Sequence, residues 1–173
     1  MRQLVHEKLR SLSEAKGKEY GKLVQKLLAI AFLEAGADDL TERSIQGIDL
    51  EVRIGGRRLA LEVKTCEGGS LSLGKKDLDG LERQHADGLE AYIPVLGDRL
   101  TDDWIFVRFT PGEFPCAKQL SLFKLRAYRD GELEARISRA FARAVLDYAA
   151  DAARDGQRGL DRVLEQYPAR RLA

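Results

Sequence analysis

Two acids and a lysine stand at a spacing that could bind a metal ion and act on water. Asp49 lies in a segment, residues 48–54, in which apolar and charged residues alternate. Glu62 and Lys64 lie in a second alternating segment, residues 57–65. A period of two is typical of half-buried strands. The sequence therefore predicts that all three side chains lie on a pair of strands.

The turn between these strands determines the pairing register, and the register determines whether the two acids face each other. A glycine pair at positions 55–56 suits the positive backbone angles of a two-residue hairpin loop. In the register of such a loop, Asp49 faces Glu62 across the strand pair, with side-chain carbons about 5 Å apart. Lys64 follows two residues after Glu62 and so shares its face of the sheet. We expect a cluster of two carboxylates and one ammonium.

Two carboxylates directly opposite each other destabilise a strand pair. A divalent cation between them removes that cost, and magnesium prefers one or two carboxylates with retained waters. Such an ion, with the ammonium of Lys64, could orient or deprotonate a water that attacks a phosphodiester and stabilise the developing charge. Spacing alone also fits a solvated outer strand face, because Glu-x-Lys is a common pattern.

The surrounding elements predict an α/β (α+β) chain in which helices flank a central sheet. A helix over residues 18–35 ends at Gly36, where a left-handed terminator is expected. Pro94 favours an edge position for its strand. The further predicted elements are a short strand in 38–43, a helix over 75–89, strands over 92–96 and 104–109, and helices from Leu133 onward and over 160–167.

The order of these features resembles the PD-(D/E)XK nuclease superfamily, and within it the archaeal Holliday-junction resolvases and Mrr-type restriction endonucleases. The likeness covers roughly residues 17–109: a helix, Gly47-Ile48-Asp49, a hairpin, Glu62-Val63-Lys64, and another helix. It implies a restriction-endonuclease-like core with a central mixed β-sheet. We expect this core over residues 1–116 and a helical C-terminal extension over residues 117–173.

The resemblance also assigns roles to the residues. It implies that Asp49 and Glu62 bind Mg²⁺, for which Mn²⁺ can substitute, that the carbonyl of Val63 completes the metal shell, and that Lys64 acts in catalysis. Many members carry a further glutamate on the first core helix. Glu19 is the acidic candidate, and we favour it slightly. A register set by the glycines of that helix places Gln25 there instead, which would give a neutral ligand.

A second cluster follows the Glu-x-Lys strand. Ser72, Lys75, Lys76 and Gln84 occupy positions where resolvase-like proteins place serine, basic and glutamine residues near the scissile phosphate. The two lysines could neutralise DNA phosphates, the sequence-independent part of DNA affinity. A capped, solvated helix start explains the same residues equally well. His85 has the apolar spacing of its helix, so we expect it to pack.

The C-terminal helices carry arginines at spacings of three and four, which place each set on one helical side. Intrahelical pairing with acidic neighbours is the favoured use, and contact with phosphates is the alternative; these acids include Glu132, Asp147, Asp151 and Asp155. The arginines are Arg136, Arg139, Arg143, Arg154, Arg158 and Arg162. Members of the superfamily are frequently dimers, since two active sites under two-fold symmetry suit the cutting of two strands. We expect a homodimer that binds DNA.

Length and composition limit the classes of protein and of partner that the sequence allows. The 173 residues fit one domain with a modest extension, and a formal net charge of +1 gives no global attraction to nucleic acid. Cys66 and Cys116 lack the spacing of a zinc site or a disulfide framework, which favours a cytoplasmic protein. No apolar run approaches the roughly 20 residues of a membrane helix. The leading hypothesis is a metal-dependent DNA endonuclease, with branched DNA as a candidate substrate. The alternatives are a catalytically inactive binding or structural module of the same fold and an unrelated α+β domain.

Overall fold

A computed structural model describes residues 2–43, 47–66, 68–97 and 104–172. The helices are α1 (Arg2–Lys16), α2 (Tyr20–Glu34), α3 (Lys75–Ala86), α4 (Leu122–Leu125), α5 (Gly131–Asp155) and α6 (Gln157–Leu164). The strands are β1 (Asp39–Glu42), β2 (Leu50–Ile54), β3 (Arg57–Leu61), β4 (Lys64–Thr65), β5 (Ser70–Leu73), β6 (Glu90–Leu96), β7 (Trp104–Arg108), β8 (Ala117–Ser121) and β9 (Arg170–Leu172). Short 3-10 turns occupy Gly17–Glu19 and Arg126–Tyr128. In this part of the chain no helix is both long and apolar enough to span a membrane.

The hairpin of β2 and β3 has the predicted register. Leu50 pairs with Leu61, and the glycines at 55–56 take positive φ angles of 57° and 78°. This pair is the last of the ladder, so Asp49 and Glu62 lie just beyond its end instead of forming the next pair as predicted. The backbone N–H of Asp49 donates to the carbonyl of Leu61 at 2.9 Å. The two acids therefore occupy the open end of the hairpin.

The main sheet is mixed, as predicted. Strand β6 lies between β7, which runs antiparallel to it, and the successive strands β3 and β4, which run parallel to it. Beyond β3 follow β2, β1 and then β9, the last parallel to β1. The edge position predicted for residues 92–96 is wrong, because β6 has neighbours on both sides.

Pro94 is tolerated inside the sheet for a different reason on each side. On the β7 side, the backbone of the facing residue bonds to other groups, and on the β3–β4 side the neighbouring strand is interrupted. Pro94 stands opposite Phe106, whose N–H donates to the Glu134 carboxylate and whose carbonyl accepts from the N–H of Asp130. On the other side, the parallel register would have residue 94 donate to the carbonyl of Glu62, and proline has no N–H. The predicted strand over residues 57–65 is accordingly interrupted at Glu62 and Val63 and resumes as β4.

Each face of the sheet buries a separate apolar cluster. Tyr92 and Leu96 of β6 face one side, and Ala91, Ile93 and Val95 face the other, as the two-residue period requires. Helices α1, α2, α5 and α6 cover the first face. Helix α3, the small β5–β8 sheet and α4 cover the second. Helices thus flank the sheet on both sides.

The C-terminal segment is part of the first of these clusters. The apolar side predicted for α5 is buried through Leu133, Ile137, Phe141 and Val145, and α5 packs along α2. Strand β9 extends the main sheet. Arg170 within it is 6% exposed and donates to the carboxylates of Glu42 and Asp161. The division of the chain after residue 116 stays a prediction, and the residues beyond it share a core with α2.

Candidate active site

Asp49 is held from two sides at the end of the hairpin. Its Oδ2 accepts a hydrogen bond of 2.9 Å from the backbone N–H of Val63, where the β3–β4 strand is interrupted. Its Oδ1 lies 3.3 Å from the ammonium of Lys22 on α2. The side chain is 17% exposed. One carboxylate oxygen is thus fixed by the backbone, and the other is directed towards a cation.

Glu62 is a buried acid in an unfavourable electrostatic position. The residue is 7% exposed. Burial and the nearby charge of Asp49 raise its pKa from 4.5 to about 8, although Lys64 donates to its Oε1 at 2.8 Å and acts in the opposite direction. In the absence of any metal, the pair of carboxylates is short of positive charge. That is the situation in which a divalent cation binds favourably.

Lys64 connects Glu62 to a third acid, Asp77, in the first turn of α3. The ammonium donates to Asp77 Oδ2 at 2.9 Å. Burial lowers the pKa of Lys64, but the charge and hydrogen bonds of both acids outweigh it, and the net change is upward. Burial also opposes ionisation of Asp77, yet the bonds from Lys64 and from the N–H of Gly74 hold its pKa below the usual value. At neutral pH Lys64 is a charged donor.

A glycine contact brings α3 to the site. A Cβ atom built on Gly80 would lie 2.0 Å from the carbonyl oxygen of Gly47, so helix and loop touch backbone to backbone. Gly47 itself has a φ of +76°, which only glycine adopts without strain. Because Gly47 precedes Asp49 by two residues and Gly80 follows Asp77 by three, this contact fixes the two acids relative to each other.

The structure places the two candidate helix residues differently. Gln25 is 7% exposed and lies at Asp49, since its Nε2 donates to the backbone carbonyl of Asp49 at 3.4 Å. Glu19 is exposed in the 3-10 turn before α2, and its carboxylate lies against Gly156 at the junction of α5 and α6. The preference for Glu19 is therefore not supported by the geometry, which brings the neutral alternative, Gln25, to the acids.

The predicted DNA-binding residues are also divided. Ser72 on β5 and Lys75 and Lys76 in the first turn of α3 are exposed, on the elements that follow Lys64. Gln84 is only 5% exposed, which leaves it little surface to offer DNA. The prediction that His85 packs is wrong, because Gln84 takes the buried position and His85 faces outward.

The arginines of the C-terminal helices divide as well. Arg154 bonds to Asp151 and Asp155 within α5, as the prediction of intrahelical pairing states, whereas Arg162 bonds from α6 to Asp155 of α5. Arg136 instead donates to the carbonyl of Ala35 at the end of α2, at 2.6 Å. The predicted intrahelical pairing is therefore confirmed for Arg154.

Two residues of the site were not found from the sequence. Asp77 occupies the third position of α3, where an acid that accepts from the helix-start N–H is common. That spacing was a usable signal, but it does not reveal the bond to Lys64. Lys22 stands one helical turn before Gln25 and donates to its Oε1 at 2.8 Å. Nothing in the sequence relates Lys22 to Asp49.

The donor set fits a loosely held, hydrated magnesium ion. The described residues include no group of three or more His, Cys, Asp or Glu side chains placed to hold a metal. Asp49 and Glu62 supply two carboxylates, and magnesium commonly uses one or two and keeps several waters. Burial and then the charge of Asp49 raise the pKa of Glu62, so a cation between the two acids would favour its ionised form. The contribution of the Val63 carbonyl stays a prediction.

The chain is similar to a known protein in its fold. No protein-family profile matches it, and no curated protein matches its sequence. Its structure is similar to that of Hjc, a Holliday junction resolvase from the archaeal hyperthermophile Archaeoglobus fulgidus, with a TM-score of 0.50 and 19% sequence identity. The match covers 64% of this chain and 94% of Hjc. At this identity the likeness concerns the fold. The protein therefore shares the restriction-endonuclease-like fold of Hjc, as the resemblance of its sequence predicted.

Proposed function

We propose that the protein is a magnesium-dependent nuclease that hydrolyses phosphodiester bonds within DNA. One observation carries the proposal: burial and the nearby charge of the half-buried Asp49 raise the pKa of the buried acid Glu62 to about 8, with the Lys64 ammonium beside it. This arrangement costs stability unless a cation joins it. The fold shared with a resolvase supports the same chemistry.

Each side chain has a definite task in this proposal. A bound Mg²⁺ ion would supply an acidic water and charge stabilisation at the phosphate. Asp49, fixed by the N–H of Val63, and Glu62 would hold that ion. Lys64 is a charged donor at neutral pH, so it would orient the water or stabilise the phosphate and would not remove a proton. Asp77 is a positioning residue, because it acts through Lys64.

DNA would approach along the exposed elements after Lys64. Lys75 and Lys76, exposed in the first turn of α3, would neutralise phosphates, and Ser72 on β5 would lie along the same path. We assign no DNA contact to the buried Gln84. The likeness to Hjc suggests branched DNA as the substrate and a homodimer as the working form, since a four-way junction presents two strands to cut under two-fold symmetry. A cytoplasmic location stays a prediction.

Cleavage assays test the proposal. Labelled linear duplex, single-stranded DNA and a four-way junction would be incubated with Mg²⁺ or Mn²⁺, with and without a chelator. Asp49→Asn should reduce cleavage about a hundredfold or more, because it removes a metal-binding charge. Glu51→Gln, two residues further along the chain on β2, is the matched control and should retain cleavage. Failure of the folded protein to cut any substrate, or undiminished cutting by Asp49→Asn, would contradict the proposal.

A second candidate is a DNA-binding module of the same fold that lacks turnover. Gln25 favours it, because a neutral amide stands where superfamily members often have an acid and so weakens the attraction for metal. The position of Lys22 on Asp49 points the same way. The module predicts junction binding that needs no metal and that Lys75→Ala/Lys76→Ala weakens, without any cleavage. The same substrates therefore separate the two candidates.

A further inference from the structure

The ammonium of Lys22 lies on the metal-facing side of the candidate site. Its Nζ is 2.8 Å from Gln25 Oε1 and 3.3 Å from Asp49 Oδ1. Both contacts are oxygen atoms, the ligands that a hard cation such as Mg²⁺ prefers. Gln25 in turn donates to the backbone carbonyl of Asp49. A positive charge from the chain itself thus lies where a bound cation would also find oxygen ligands.

Asp49 cannot bind the Lys22 ammonium and a divalent metal ion equally well at the same time. Its Oδ2 already accepts the bond from the N–H of Val63, which leaves Oδ1 as the oxygen directed outward. A divalent ion at Oδ1 would stand within a few ångström of the Lys22 ammonium, and like charges at that range repel strongly in a partly buried site. Lys22 is 53% exposed, so its flexible stem can withdraw into solvent.

We propose that Lys22 controls metal loading of the site: its ammonium occupies the Asp49–Gln25 oxygens in the free protein and is exchanged for the divalent cation. The inference rests on the proposed nuclease function and adds a control on when the site is loaded. DNA phosphates give the displaced ammonium a new partner. Metal therefore binds weakly to the free protein and more tightly when DNA is present.

Calorimetric titration with Mn²⁺ alone, in the absence of DNA, tests the exchange. Lys22→Met keeps the length of the side chain and removes its charge. Lys18→Met makes the same change of charge on an exposed lysine of the preceding 3-10 turn and controls for general attraction of cations. Lys22→Met should bind Mn²⁺ about fivefold more tightly than Lys18→Met, the size expected when a partly exposed ion pair no longer competes.

A second titration separates this role from a structural one. With a non-cleavable junction DNA present, the wild-type protein should gain Mn²⁺ affinity, and Lys22→Met should gain less. Thermal unfolding without metal shows whether each variant folds.

The outcomes distinguish the two proposals. Equal Mn²⁺ affinity of Lys22→Met and Lys18→Met, with measurable binding by the wild type, would overturn the exchange and leave the nuclease proposal intact. Binding by Lys22→Met alone in the absence of DNA would support the exchange, and failure of the wild type to bind Mn²⁺ with junction DNA present as well would contradict a metal-dependent nuclease in the native chain. No Mn²⁺ binding by any of the three proteins, with or without junction DNA, would contradict both.

Discussion

Two charged clusters on the same sheet use similar side chains and have opposite electrostatic character. The site cluster consists of Asp49, Glu62, Lys64 and Asp77. The other cluster, named the Arg57 network, consists of Arg57, Glu90, Tyr92 and Asp130. Both contain carboxylates that lie close together. They differ in how much positive charge and how many donors the chain provides to those carboxylates.

In the Arg57 network every carboxylate is matched. Arg57 donates to both oxygens of Glu90, at 3.0 and 2.8 Å, and this bidentate bond lowers the pKa of Glu90. Burial of Asp130 is outweighed by bonds from the N–H of Leu133, from Tyr92 at 2.8 Å and from Arg57 at 3.1 Å, so its pKa is also lowered. The network joins the start of α5 to the sheet.

The site cluster is not matched in this way. Glu62 shares one ammonium with Asp77 and lies near Asp49, and its pKa is raised to about 8. A cluster that only stabilised the fold would pair its charges as the Arg57 network does. Retention of an uncompensated acid in a buried position is typical of functional sites, which are often less stable than the rest of a protein. The contrast favours an external cation as the missing partner.

The largest effect should come from removing the charge of one acid in each cluster and comparing the two variants. Glu62→Gln should reduce cleavage about a hundredfold or more, because the amide cannot supply metal-binding charge. Its free energy of unfolding without metal should change by less than about 1 kcal/mol, since removing the charge also removes repulsion. Asp130→Asn should do the reverse: it lowers the free energy of unfolding by about 1–2 kcal/mol and leaves cleavage per folded molecule unchanged.

Urea unfolding with added chelator and initial cleavage rates provide the two readouts. Equal loss of stability in both variants would show that Glu62 is an ordinary structural acid. The contrast between the clusters would then have no functional meaning.

The next largest effect should follow from a substitution that pushes α3 away from the site. Gly80→Ala places a Cβ where only 2.0 Å separates it from the Gly47 carbonyl oxygen, so the helix must shift. We expect a loss of about 2–3 kcal/mol in the free energy of unfolding and weaker cleavage, because Asp77 moves with α3. Gly21→Ala on α2 is the control, since no atom lies within 4 Å of its added Cβ. Similar stability of the two variants would refute the close contact.

Local patterns predicted the hairpin, because a glycine pair and a two-residue period are sufficient to set the pairing of β2 with β3. They also predicted that Asp49 and Glu62 lie near each other, although as a pair within the ladder instead of beyond its end. They did not predict the interruption of the second strand at Glu62 and Val63, where the parallel register would need an N–H from Pro94, 32 residues further along the chain than Glu62. Where a strand is interrupted depends on contacts with residues that are distant in the sequence. A single sequence does not show which of those residues come into contact.

The same limit explains the residues that sequence reasoning missed or misplaced. Asp77 meets Lys64 only because the Gly47–Gly80 contact folds α3 back over the strand. The choice between Gln84 and His85 as the buried residue was open, since a helical period of 3.6 admits spacings of three and four. Local periodicity cannot resolve that choice, whereas packing against the sheet does.

The smallest effect should be the pH dependence of the Arg57 network. The pKa values of Glu90 and Asp130 are lowered from 4.5 and 3.8, so the folded state binds fewer protons than the unfolded state in this range. Their stabilisation is therefore fully present above about pH 5 and is lost as the pH falls through the lowered values. The difference in free energy of unfolding between wild type and Glu90→Gln/Asp130→Asn should be constant from pH 6 to 8 and shrink below about pH 4. Urea titrations across this range measure it. A difference that persists undiminished at pH 3 would mean that the network stabilises by hydrogen bonding alone, and the electrostatic contrast with the site would then rest on Glu62 only.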